Sequence, residues 1–128
     1  LSETDQGISV AHAPFIAVKD SEIESLGTAI QQCLLASQVR MRQPSNLRNL
    51  LSPLLSQAGL KSYTAFARMA KLIEVSTSDN SNISFMPTRN GGSREGYCDL
   101  TEKMLTSTNA VHEMGNAALR ALAISTLP

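Results

Sequence analysis

The sequence predicts a mainly helical fold with one small β-hairpin: a winged-helix-like helix-turn-helix core followed by a C-terminal helical extension. Three observations predict it. Apolar residues recur at helical spacing on both sides of an Ala58-Gly59 turn. Two short alternating segments then flank a polar loop rich in Ser, Asp and Asn, which is a hairpin signal. Five aromatic residues and no Trp leave Leu, Ile, Met and Ala to fill the core, a composition that favours helix over a β-sandwich.

Taken in order, residues 1–14 show no sustained period and read as an N-terminal arm that docks at most through Ile8 and Val10. The winged-helix-like domain spans 15–88. Its first helix runs from about Glu22 to Ser37, with Ile23, Leu26, Ile30, Cys33 and Leu34 on one face and Ser21 with Glu24 as a capping box. Val39 to Arg42 alternates apolar and basic and permits a short strand. Pro44 and Ser45 start a helix whose stripe is Leu47, Leu50, Leu51, Leu54 and Leu55, and Pro53 predicts a kink or break near residues 49–52. Gly59 supplies a left-handed cap, and Ser62 caps the next helix, lined by Tyr63, Phe66, Met69 and Ala70.

The hairpin pairs Leu72–Val75 with Ile83–Met86, and Pro87 ends its second strand. Residues 89–97, with three glycines, read as a Gly-rich linker or loop. Residues 98–128 carry a helical pattern interrupted by Thr106 to Asn109, compatible with one helix or two, packing on the core or on a partner.

At 128 residues the chain fits one domain with an extension. It begins without Met, which suggests a processed or excised piece of something longer. Lys and Arg number 11 and so do Asp and Glu, so nucleic-acid binding would have to come from a local patch. Such a patch is visible: no acid occurs between Glu24 and Glu74, whereas Arg40, Arg42, Arg48, Lys61, Arg68 and Lys71 do. Tyr63 could stack on a base or join Phe66 in the core. Cys33 and Cys98 have no framework or zinc spacing and read as free thiols in a reducing, cytoplasmic setting. No run of about 18 apolar residues is present, so no membrane helix is expected.

The remaining motifs favour plain readings. His12 stands without acid or thiol neighbours in the arm and reads as a solvated linker histidine. His112-Glu113 lacks the second histidine four residues on, where Asn116 stands, so no metal site is expected. Cys98 and His112 lack a motif or an orienting third group for nucleophilic catalysis. The glycines at 91–96 lack the order of a phosphate-binding loop. No catalytic residue, metal or cofactor is expected, and the balance leans away from an enzyme.

The runs L-R-N-L-L-S-P-L-L at 47–55, G-L-K-S-Y-T-A-F-A at 59–67, L-I-E-V at 72–75 and I-S-F at 83–85 resemble the LOTUS domain, or OST-type helix-turn-helix. The resemblance covers residues 22–88. It implies an RNA-binding or helicase-docking module, with Lys61, Arg68 and Lys71 as RNA contacts. The expected function is thus non-catalytic nucleic-acid binding, to RNA or DNA, through Arg40, Arg42, Arg48, Lys61, Tyr63, Arg68 and Lys71. The rival expectation is a protein-interaction or self-association module that docks through the Ala- and Leu-rich C-terminal helix.

Overall fold

The computed structural model describes residues 1–37, 40–46 and 49–128. Its centre is a four-stranded antiparallel sheet rather than a helical bundle. β1 (Ser2–Glu3) and β2 (Ser9–Val10) form a small N-terminal hairpin, followed by α1 (Ile23–Ala36), α2 (Ser52–Gln57) and α3 (Tyr63–Met69). Then come β3 (Ile73–Thr77), β4 (Asn82–Asn90), α4 (Gly92–Glu95), β5 (Tyr97–Asp99), a 3₁₀ turn at Thr101–Lys103, β6 (Leu105–Thr108) and α5 (Val111–Ile124). The expectation of a mainly α fold with one hairpin is therefore corrected to mixed α/β, with two sheets among the described residues.

β4 is the spine of the larger sheet. It pairs with β3 from Ile83 to Pro87, with β6 from Asn82 to Phe85 and with β5 from Thr88 to Asn90. Period-two alternation sends Ile83 and Phe85 to one face, where both are essentially fully buried. α5 covers that face with Met114, Ala117, Ala118 and Ala121, an i, i+3, i+4, i+7 stripe whose small side chains let the helix lie close. Leu26, Ile30 and Leu34 of α1, with Ile73, Val75 and Leu105, close the same cluster. Burying a side chain of Phe85 size stabilises by about 1.5–3 kcal/mol.

This packing overturns the winged helix. The order helix, helix, hairpin is present in sequence, but α2 buries no residue and α3 buries only Ala67. The hairpin expected to be a peripheral wing is the middle of the core instead. Pro87 does not end β4: it lies where the strand changes neighbours, its missing N–H opposite Ile73 and its carbonyl accepting from Leu100 N at 2.9 Å. The Thr-Ser-Thr run read as a helix interruption is β6, whose register is set by β4.

Local chemistry explains the ends of the elements. Ser62 Oγ accepts from Ala65 N at 3.2 Å and starts α3, while Gly59 follows α2 at φ +70°. Pro53 stands in the first turn of α2, where its absent N–H is harmless, and the helix expected from Pro44 begins only at Ser52; Leu47 lies outside the described residues. The Ser21–Glu24 capping box does not form: α1 starts after Glu22 with no side-chain cap. Of the strand expected at 39–42, Val39 lies outside the described residues, and Met41 makes a parallel bridge to Thr4. His12 is half-buried, with Nε2 hydrogen-bonded to Ser2 Oγ, rather than solvated.

The β3–β4 turn is built by one carboxylate. Asp79 accepts from Asn82 N at 2.8 Å, Ser81 N at 2.9 Å and Asn82 Nδ2 at 3.0 Å. The backbone N–H groups of Asn82 and Ser81 are the main reason its pKa falls from 3.8 to about 2. A carboxyl lowered on folding stabilises the fold above its unfolded value, and that contribution is lost as pH falls through the folded value. Asp79→Ala is therefore expected to loosen the turn and flatten the acid limb of stability between about pH 4 and pH 2. Acid unfolding of the two proteins, with the carbon-13 shift of the Asp79 carboxyl, checks this; a wild-type Asp79 titrating near 4 would refute it.

Candidate functional site

The leucine-rich segment before Gly59 lies outside the main hydrophobic core and is only partly covered. In α2, Leu54 and Leu55 are only half-buried, and Leu50 and Leu51 before it are no better covered. Helical spacing gave them a stripe, but the sheet and α5 already fill the core without it. Facing them is the N-terminal hairpin, held by the β1–β2 pairing and by Met41, which donates to Glu3 O at 3.0 Å and accepts from Asp5 N at 2.8 Å.

Between the two lies a groove of about 610 Å³. Ile8, Val10 and Ala11 line one side, Leu50, Leu51 and Leu55 the other, and Lys61, Ser62 and Tyr63 close the end where α3 begins. Among the described residues, Lys61 is the only charged side chain on the walls. Tyr63 is 48% exposed and lies 6.3 Å, ring to ring, from Phe66. A tyrosine held by an aromatic neighbour while half its surface faces water is pre-organised for contact, because little side-chain freedom remains to be lost.

α3 is fixed to the sheet by a buried amide. Asn90 Nδ2 donates to Ala67 O at 2.7 Å and to Ala70 O at 2.9 Å, and its Oδ1 accepts from Gly92 N at 2.9 Å. Tyr97 Oη also donates to Ala70 O, at 3.0 Å. Burial, and then the neighbouring Tyr63, push the Tyr97 phenol above its usual pKa. The C-terminal end of α3 is thus anchored to β4 and β5, while Lys61 and Tyr63 stand at its opposite, N-terminal end.

Of the residues expected to meet nucleic acid, Lys61 and Tyr63 are brought together at this groove. Arg40 and Arg42 are exposed on either side of Met41, beside β1. Arg68 is exposed in the last turn of α3, and Lys71 Nζ donates to Leu122 O at 3.1 Å, against α5. Arg48 lies outside the described residues. Ile8, Val10 and the leucines were visible in the sequence as apolar, but nothing there showed that they face one another. The alternation Ile8-Ser9-Val10 was the one signal for the first wall.

Among the described residues, no group of three His, Cys, Asp or Glu could hold a metal, and no helix is long and apolar enough to cross a membrane. Cys98 neighbours Arg89, whose Nη2 lies 3.6 Å from the sulfur and 3.1 Å from Glu95. That ion pair is exposed and contributes at most about 1 kcal/mol.

Comparison with known proteins decides the family. The family described as CdiI, CDI immunity protein, matches residues 6–125. This chain belongs to the CDI immunity protein family. No curated protein matches it. A solved structure, the protein of unknown function NMB0488 from Neisseria meningitidis, is similar with a TM-score of 0.72 and 16% identity. The match covers 90% of this chain and 78% of that one, and at that identity it bears on the fold alone.

Membership of the immunity family corrects three expectations. The LOTUS resemblance rested on the order of short motifs at 47–85, whereas the family match runs through the sheet and α5 as well. Winged-helix binding of RNA or DNA gives way to protein binding, since CDI immunity proteins act on partner toxin proteins. The basic run 40–71 thus loses the winged-helix reading that made it a nucleic-acid surface. For this immunity-family chain the partner class is protein, as the rival expectation had it in its coarser form.

Proposed function

We propose that this chain neutralises a CDI toxin by forming a stoichiometric protein–protein complex with it, without chemistry of its own. The observation that carries the reading is the family match, which extends over residues 6–125 and so takes in the whole sheet and both long helices. The half-covered leucines of α2 and the half-exposed Tyr63 support it, since a binder needs apolar area that its own core does not consume. Co-expression tests it directly. Cells making the toxin of the same CDI system are expected to grow when this chain is present, and the two proteins are expected to elute together in one-to-one ratio. Growth arrest that persists despite abundant folded chain would remove the reading.

A further inference from the structure

The groove between the N-terminal hairpin and α2 has a definite chemistry. Its walls are mainly aliphatic, with Ser9, Asn49 and Ser52 among them, its end is a half-exposed tyrosine, and among the described residues the charged side chain that lines it is Lys61, which is exposed. No Asp or Glu occurs anywhere from Ser25 to Ile73, the stretch that supplies α2, α3 and the turn between them. The hairpin carries Glu3 and Asp5, but neither lines the groove, so an incoming carboxylate meets no acidic side chain among the described lining residues and finds an ammonium at the rim. An incoming cation would meet Lys61 with nothing from α2 or α3 to offset it.

Resting on the toxin-binding reading, we infer that this groove is the docking site for the toxin, and that the toxin enters it with an apolar side chain flanked by Asp or Glu. The apolar side chain lies between Ile8 and Leu55 and packs on Tyr63; the carboxylate pairs with Lys61. Both contacts fall at the start of α3, a helix capped there by Ser62 and tied to β4 at its other end by Asn90, so the element that carries them is ordered before the partner arrives. Buried aromatic anchors beside a charge partly shielded from water carry a large share of binding energy at such interfaces. The Lys61 pair, at the rim, acts mainly on association rate and its salt dependence.

Titration of the purified toxin against the full chain by calorimetry, with stopped-flow association at two salt concentrations, tests the inference. Tyr63→Ala combined with Lys61→Glu is expected to weaken binding at least about tenfold. Lys61→Glu alone is expected to slow association and reduce its acceleration at low salt. Both side chains are exposed, and far-UV circular dichroism with the control Leu35→Ser, an exposed α1 leucine that does not line the groove, establishes that the variants fold. Hydrogen exchange on the wild-type complex supplies a second readout: protection concentrated at 8–11 and 50–63 supports the site.

Binding by the double variant within twofold of wild type overturns the groove while leaving the immunity reading intact. Faster association after Lys61→Glu overturns the acidic partner segment. Loss of a dimer of this chain on Tyr63→Ala, with toxin affinity unchanged, assigns the groove to a second copy and overturns the toxin as its occupant. Absence of any complex with the wild-type chain defeats the immunity reading, and this inference with it.

Discussion

Gly27→Ala is expected to destabilise the protein by about 3 kcal/mol, even though alanine is the better helix former. In an exposed helix interior the same change stabilises by about 1 kcal/mol. Here the sign reverses because of what the new methyl group meets. A Cβ on Gly27 would lie 1.9 Å from the Val111 carbonyl oxygen and 2.7 Å from its carbon, and one on Gly115 would lie 2.2 Å from the Ile23 carbonyl oxygen. Ile23 faces Gly115 and Gly27 faces Val111, so the two helices run in opposite senses through a contact made backbone to backbone. Neither carbonyl can swing away as a side chain tip would, and relief requires α1 and α5 to separate. Separation uncovers Leu26, Ile30 and Met114 together. Urea unfolding of Gly27→Ala, Gly115→Ala and the double variant checks the account. The double is expected to cost less than the sum, because the first methyl already opens the contact the second would violate. A Gly27→Ala protein as stable as wild type would refute it.

That contact also shows what the sequence could and could not disclose. α1 was legible because four of its apolar residues repeat at three and four, and the caps at Gly59 and Ser62 were legible because each acts within a few residues of itself. Gly27 was a weaker signal of the same kind: a glycine inside a helical pattern is unfavourable unless something packs against it. The hairpin was legible too, but its place in the molecule was not. Sequence order puts it after two helices, as in a winged helix, while the partners that make β4 a central strand, β5 and β6, lie in a segment whose own pattern is faint. Leu105 is the only aliphatic side chain in β6, and β5 follows a run of glycines. Strands so short are specified by the neighbour they pair with, not by their own periodicity.

The groove was legible in pieces. Lys61 and Tyr63 stood out, though for a different ligand, and the α2 leucines stood out as a core. Periodicity shows that a face is apolar; it does not show whether the chain itself or another molecule covers that face. The answer depended on α5, whose alanine stripe takes the sheet and leaves α2 aside.

Asn90→Asp, a change of one atom, is expected to cost about 3 kcal/mol or more at neutral pH. Asn90 is 2% exposed, and its hydrogen bonds leave no doubt which way the amide points: two carbonyls demand the NH₂ group and the Gly92 N–H demands the oxygen. An aspartate keeps the bond from Gly92 N but sets a carboxylate oxygen against Ala67 O and Ala70 O, three acceptors facing one another away from water. Ionisation is the unfavourable event, so the new carboxyl titrates above its unfolded value of about 3.9. Its stability is fully present below that value and declines as pH rises through the folded pKa, because the protonated acid can still donate one of the two lost bonds. Thermal melts of Asn90→Asp are therefore expected to approach wild type near pH 4 and fall away toward pH 7. Asn90→Ala, which strands the same carbonyls without adding charge, is expected to lose stability at every pH without that slope. The same pair of variants separates scaffold from groove. Since Asn90 ties the end of α3 to β4, either change is expected to raise hydrogen exchange in α3 before the sheet opens, and a uniform rise across α3, β4 and α5 would mean that the amide supports the whole fold and not the docking surface in particular.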